Sequence, residues 1–337
     1  MEIEHVLRSP DATRANLFFA KDPIDMTSTN DTRSPDHDRS STEILCLGEV
    51  LWDALPEGLF LGGALYNVAC HLTALGEPSA LVSRVGEDTL GREILRRMQA
   101  SEMTTDLVQK DPNLQTGFVE VSLSDDGVAD YVIVEPVAWD AIATTDALVE
   151  RAAAARAVVF GSLAQRSDIS RRTIQHLCDV TSGVKIYDVN LRPPYTSREI
   201  VESSLRAADA VKMNNDELAT MRGWYQLEAG LKPAVETVAD RFDLSTCCIT
   251  CGSDGAYLWH AGAWIFHPGH DVVVRDTVGA GDAFLAALLA GLLADDDPGE
   301  VLSRANRLGA YVASRSGATP AYDAPSLDSL TALPLPQ

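Results

Sequence analysis

The sequence predicts a three-layer α/β domain in which a mainly parallel central sheet is covered by helices on both faces and a small β-sheet projects from one side. Three observations predict it. From Glu43 onward, apolar runs rich in β-branched residues alternate with helical stretches. The strand runs are near-continuously apolar, as strands buried on both faces are. Two extended regions break the alternation and call for a second sheet.

In chain order, strands are expected at 44–51, 79–85, 157–161, 184–189, 210–213 and 247–250. Helices are expected at 67–75, 90–100, 145–153, 171–180, 197–206, 217–223, 231–242, 283–293 and 298–315. The exceptions are 54–62 and 116–134. In the second, TGFVEVSLSDDGVADYVIV alternates around Ser124-Asp125-Asp126-Gly127, the pattern of a hairpin. A small sheet there suits a lid that keeps water from a reacting ligand. The alternative is an edge extension or a dimer surface, and a lid that pairs across a homodimer satisfies both.

Residues 1–42 are rich in Asp, Ser, Thr, Arg and Pro without periodicity, so they read as a disordered polar tail, with Met26 as a second plausible start. Residues 43–330 form one domain, and 331–337 a short C-terminal tail.

With 46% hydrophobic and 23% charged residues the composition is that of a soluble globular protein. No apolar run suits a bilayer span, and the N-terminus lacks a basic stretch followed by an apolar one, so a cytoplasmic location is expected. A formal charge of −22 argues against nucleic acid and anionic membranes as partners. The six cysteines fall mostly in apolar segments and read as reduced core residues. The Cys248-Ile249-Thr250-Cys251 spacing suits a strand end better than a redox pair.

The most informative segment is DTVGAGDAF at 276–284, which runs into the apolar stretch 285–293. A glycine-rich turn feeding a helix aims backbone N–H groups and the positive end of the helix dipole at one spot, where an anion such as phosphate binds. Asp282 stands at the mouth of that spot. A carboxylate there repels phosphate unless it has other work, and taking the proton from a hydroxyl that attacks phosphorus is such work. The plainer alternative is an acidic residue favouring a helix N-terminus.

Other segments supply partners. Gly62-Gly63-Ala64-Leu65-Tyr66-Asn67 pairs glycines that allow close backbone approach with an asparagine suited to vicinal hydroxyls, and SRVGEDTLG follows at 83–91. Asp53, placed at the end of the first strand, sits where open α/β sheets bind ligands and is able to accept two hydroxyl protons. Asn214 and Glu217 offer hard oxygens for hydrated magnesium, or an ordinary helix cap. Arg192, in DVNLR at 188–192, suits a transferring phosphoryl group or a surface ion pair equally. Asn306, Gly309 and Ala310 share a helix at a spacing that suits one wall of an adenine slot, or Asn306 simply faces solvent. A P-loop and a dinucleotide fingerprint are both missing.

Together these motifs resemble the ribokinase-like (PfkB) carbohydrate kinases over residues 43 to about 325. DTVGAGDAF matches the family's C-terminal signature, and GGxxxN with VGxDxxG its N-terminal one. The resemblance implies a ribokinase-like fold and ATP-dependent phosphorylation of a sugar's primary hydroxyl. Asp282 would be the base, the N–H groups of Gly279, Ala280 and Gly281 the anion hole, and Arg192 an auxiliary cation. Asp53, Gly62, Gly63 and Asn67 would bind the sugar. The T-x-G-x-x-G turn with Thr250, Gly252 and Gly255 would bind ATP, together with Lys212, Asn306 and Ala310. Mg2+ would be held near Asn214 and Glu217. A K+ site is implied at Asp276, Val278, Ala313, Ser316 and Ala318.

GEVLxD at 48–53, DxNxR at 188–192 and EPVAWD at 135–140 resemble fructokinases, which makes fructose the expected substrate. Trp139 would pack on the sugar's apolar face or serve as a buried structural residue. Leu61 replaces the proline common before the glycine pair, and Leu65-Tyr66 is bulkier than in many relatives. Ribose, 2-keto-3-deoxygluconate and nucleosides therefore remain alternatives, as does a non-catalytic sugar sensor that has kept the pocket.

Overall fold

The first apolar run, expected as one strand over 44–51, divides between two sheets. The computed structural model describes residues 43–55, 58–123, 129–323, 326–327 and 329–330. Ile44–Leu47 (β1) lies inside the large sheet, whereas Leu51–Leu55 (β2) begins the small one. The break falls at Gly48-Glu49, where a buried carboxyl group interrupts the apolar pattern. Asp53 is therefore in a small-sheet strand and not at the end of the first strand, as expected.

The remaining elements are β3 (Gly58–Gly62), α1 (Ala64–Ala74), β4 (Ser79–Gly86), α2 (Thr89–Ala100), β5 (Val108–Asp111), β6 (Gly117–Leu123) and β7 (Ala129–Ile133). Then come α3 (Asp146–Ala154), β8 (Ala157–Gly161), α4 (Asp168–Val180), β9 (Val184–Asp188), α5 (Arg198–Ala207), β10 (Ala210–Asn214), α6 (Asn215–Tyr225) and α7 (Leu231–Phe242). The chain continues through β11 (Thr246–Thr250), β12 (Ala256–His260), β13 (Ala263–His267), α8 (Ala280–Leu293) and α9 (Pro298–Ala313).

The large sheet has nine strands in the order β13-β12-β11-β10-β9-β8-β1-β4-β5. From β5 to β11 all neighbours are parallel, while β12 and β13 continue the sheet antiparallel. The small sheet has the order β3-β2-β6-β7, with β2 antiparallel to β3 and parallel to β6. The expected hairpin turn at 124–127, the N-terminal tail and the C-terminal tail lie outside the described residues.

Helices cover both faces of the large sheet. Leu65, Ile94, Leu285 and Val301, from α1, α2, α8 and α9, pack on one face. Leu148, Ile174, Val201, Met221 and Val238, from α3 to α7, pack on the other. Among the described residues six helices start at a Ser, Thr, Asp or Asn whose side chain caps the first turn. By contrast, α1 and α8 start at Gly63 and Gly279, with no side-chain cap.

The chain runs from β1 outward to β4 and β5, then returns to place β8 on the other side of β1. Such a switch point opens a crevice at the carboxyl ends of parallel strands. Glu49, Asp188, Asn214 and Thr250 all lie at or just beyond those ends.

Among the described residues no helix is long and apolar enough to cross a membrane. All six cysteines are free, and Cys46, Cys178, Cys247 and Cys248 are buried.

Candidate active site

The floor of the crevice is the start of α8. Gly279 has φ +76°, which disfavours any side chain, and a β-carbon there would stand 2.6 Å from the Ala318 backbone. The turn is thus wedged against the 313–318 loop. Ala280 and Gly281 follow in the first turn, and Asp282 is the acidic residue of that turn.

Asn67 Nδ2 donates to Asp282 Oδ2 at 2.8 Å, joining α1 to α8. Asn67 is 4% exposed, and its Oδ1 is buried without a hydrogen-bond partner. Burial pushes Asp282 up to about 6, and the Asp188 charge pushes the same way; the Asn67 donor and the cations Lys212 and Arg192 oppose the rise.

Lys212 and Asp188 are cross-strand partners on β10 and β9. Lys212 Nζ donates to Asp188 Oδ1 at 3.1 Å, and both residues are buried. A β-carbon on Gly281 would be 3.1 Å from Lys212 Nζ, so the ammonium group stands beside the glycine turn. Burial opposes the charge on Lys212, but Asp188, Glu217 and Asp282 outweigh it and hold the lysine's pKa above its ordinary value.

Asp53 on β2 lies across from β3, its Oδ2 over Gly62: a β-carbon on Gly62 would come within 2.6 Å. Burial raises Asp53 to about 6, and Arg192 lowers it. Arg192 itself is exposed, and its Nη1 donates to the Leu191 carbonyl at 2.9 Å. It reaches Glu49, Asp53 and Asp282 through its field rather than through a bond.

Asn214 and Glu217 form a reciprocal capping box. Asn214 Oδ1 accepts from the Glu217 N–H, and Glu217 Oε2 accepts from the Asn214 N–H, both at 2.8 Å. Glu217 Oε1 accepts from Leu191 N–H at 2.9 Å. The helix-cap alternative is therefore realised, leaving only second lone pairs for a hydrated ion. Among the described residues no group of three or more His, Cys, Asp or Glu is arranged to hold a metal. These residues fit Mg2+ only where nucleotide phosphates and water supply most ligands.

The implied K+ set fits less well. Asp276 Oδ1 accepts from Val278 N–H and its Oδ2 from Gly317 N–H, tying the two loops together. The Ala313 carbonyl accepts the N–H groups of both Arg275 and Asp276, and the Ala318 carbonyl accepts from His71 Nε2 at 3.0 Å. The Ala313 carbonyl thus has both lone pairs engaged by protein donors, whereas that of Ala318 keeps one.

Thr250 ends β11, and Gly252 and Gly255 turn the chain with φ of +58° and +84°. Asn306 is 8% exposed and not solvent-facing; its Nδ2 donates back to Leu302 O at 2.8 Å within α9. Ala310 lies one turn later and is partly exposed.

Trp139 departs from the expected sugar contact. It is wholly buried, with Gly117 against its Nε1 and the Arg166 guanidinium 4.0 Å from its ring centre. A ring enclosed on this scale has no face to give a sugar, which leaves the structural alternative. Two buried acids of the crevice, Glu49 and Asp188, received no role from the sequence. Their signal was an acid within or at the end of an apolar strand run, where a charge is costly unless it has work.

A glycine turn at a helix N-terminus, a buried lysine beside it and a buried carboxylate meet at the crevice of this α/β fold, an arrangement suited to phosphoryl transfer. The model of the pfkB family carbohydrate kinases matches residues 49–325, and the chain belongs to that family of ATP-dependent sugar kinases. Fructokinase from Klebsiella pneumoniae is 30% identical over 295 residues, covering 82% of this chain and 94% of that protein. Fructokinase from Escherichia coli is 28% identical, covering 82% and 95%. Among solved structures, fructokinase from Xylella fastidiosa with bound ATP superposes with TM-score 0.71 at 22% identity, covering 83% and 94%. An uncharacterized sugar kinase from Pyrococcus horikoshii superposes with TM-score 0.66 at 27% identity, covering 82% and 93%. The ribokinase-like fold expected from the motifs is the fold observed.

Proposed function

We propose that this kinase phosphorylates a primary hydroxyl of fructose. The observation that carries the reading is the Asn67–Asp282 hydrogen bond inside the glycine-turn anion site, because it puts a sugar-type ligand residue against the base. The orphaned Asn67 Oδ1 and the Asp53 carboxylate are suited to accept sugar hydroxyl protons. The fructokinase names of the relatives support fructose as the sugar.

Asp282 removes the hydroxyl proton as the oxygen attacks the γ-phosphorus. The new O–P bond forms while the bond to the β-phosphate oxygen breaks, and ADP leaves. The N–H groups of Gly279, Ala280 and Gly281, with Lys212 Nζ beside them, meet the charge that spreads over the γ-phosphoryl oxygens. Arg192 adds a positive field from the cleft edge. Glu217 and Asn214 would hold a hydrated Mg2+, which would supply charge neutralisation on the nucleotide phosphates. ATP lies along the Thr250–Gly255 turn with Asn306 and Ala310 walling its base; the bound ATP of the Xylella protein supports ATP as the nucleotide.

The small sheet carrying Asp53 closes over the sugar as a lid. Leu59, Phe60 and Val132 are exposed on it, which supports pairing with a second copy of the chain. Six free thiols agree with a cytoplasmic location.

The test is ATP consumption by the full chain against a panel of fructose, ribose, 2-keto-3-deoxygluconate and nucleosides, for wild type and Asp282→Asn. Fructose turnover lost in the variant supports the reading. Turnover only with another sugar overturns the substrate, and sugar binding without any turnover favours a sensor.

A further inference from the structure

The N-terminus of α1 is capped from a distance. Gly63 offers no side chain, and the acceptor comes from Glu49, whose Oε1 accepts the Ala64 N–H at 2.9 Å. Glu49 is 2% exposed, and its Oε2 has no hydrogen-bond partner. Its backbone grips the same turn: a β-carbon on Gly63, at φ +110°, would stand 2.6 Å from the Glu49 carbonyl oxygen. Residue 49 therefore sets the first turn of α1 through both side chain and main chain. Asn67 closes that turn with its N–H on Gly63 O at 2.9 Å, and its side chain reaches Asp282.

We propose that Glu49 is a positioning residue that holds Asn67 against Asp282 by fixing the start of α1. Its value lies in the acceptor it presents to Ala64, so an uncharged amide of the same length serves as well. The effect on turnover rests on Asp282 being the base, but the effect on Asp282 itself does not. A buried carboxyl group is retained here for geometry, because a helix opened by glycine has no acceptor of its own.

Two electrostatic effects oppose one another in the variants. Asp282 and Arg192 act on Glu49, and Asp188, Lys212 and Arg192 act on Asp282. Burial raises Glu49 to about 7, so near the Asp282 midpoint it is largely uncharged, and removing its carboxyl lowers the Asp282 pKa slightly or leaves it unchanged. Losing the Asn67 donor raises it. Glu49→Gln carries only the first effect, and Glu49→Ala carries both.

The experiment is a carboxyl carbon-13 NMR titration of Asp282, assigned by its loss in Asp282→Asn, alongside steady-state kinetics with ATP and fructose. Glu49→Ala is expected to raise the titration midpoint of Asp282 and to lower kcat about 10- to 100-fold, the range set by a misplaced catalytic group. KM for ATP stays unchanged. Glu49→Gln is expected to restore kcat and to leave the midpoint at or below the wild-type value. Glu49→Asp, too short to reach Ala64, repeats the Glu49→Ala result and replaces it if that variant does not fold. An Asp282 midpoint unmoved in the Ala and Asp variants, or a Gln variant as impaired as they are, overturns the proposal. If Asp282→Asn keeps its turnover, the base assignment fails, while the NMR midpoints still decide the role of Glu49.

Discussion

Asn67 and Asp282 stand 215 positions apart in the chain and share a 2.8 Å hydrogen bond, the side-chain amide donating to the carboxylate. The bond ties the helix that follows the small sheet to the helix that opens the anion site. In the proposed reaction, proton transfer and sugar binding meet at this pair of residues.

Replacing Asp282 by Asn removes the proton acceptor and keeps the shape. Positioned general bases contribute about 10²- to 10⁴-fold, so kcat should fall within that range. KM for ATP should change little, because the amide leaves the glycine turn intact. Steady-state assay of ADP production checks both.

The pH dependence follows from Asp282 at about 6. The base works when unprotonated, so kcat/KM should fall as pH drops through about 6. In Asn67→Ala the donor that favours the carboxylate is lost, so the acid limb should move to higher pH. A pH profile of kcat/KM for the two proteins gives the sign directly.

Lys212→Met should damage both function and stability. The methionine leaves Asp188 buried without its cation, and breaking a buried pair costs about 3–5 kcal/mol. The loss also removes a charge that lowers Asp282, so the acid limb moves up as in Asn67→Ala. Urea unfolding and the pH profile measure the two effects separately.

Gly279→Ala and Gly317→Ala make a matched pair. Both glycines have positive φ, +76° and +82°, and a side chain in that region costs about 1–2 kcal/mol. At 317 a β-carbon meets open space, whereas at 279 it meets the Ala318 backbone at 2.6 Å. Gly279→Ala should therefore lose more stability and most of its turnover, and Gly317→Ala only the conformational part. Denaturant midpoints and kcat distinguish them.

Much of the fold was legible because periodicity and local chemistry specify it. The strands at 157–161 and the helix at 231–242 fall where the apolar pattern puts them, and the capping box at Asn214 is spelled by its own residues. The β12–β13 hairpin is likewise marked by the short apolar, aromatic-rich runs AYLWH and AWIFH around Ala261-Gly262. Strand β5, the four residues VQKD, carries too little apolar pattern to be seen at a sheet edge.

The anion turn, the base and the glycine pair are local in sequence, so the chain alone determined that this protein has the parts of a sugar kinase. Tertiary structure decided how those parts are held. It moved Asp53 into the small sheet, enclosed Trp139, engaged the Ala313 carbonyl with two N–H donors and brought Glu49 to the start of α1. Those outcomes depend on burial and on which backbone donors lack partners once helices and sheets have packed, and neither is encoded in residue spacing.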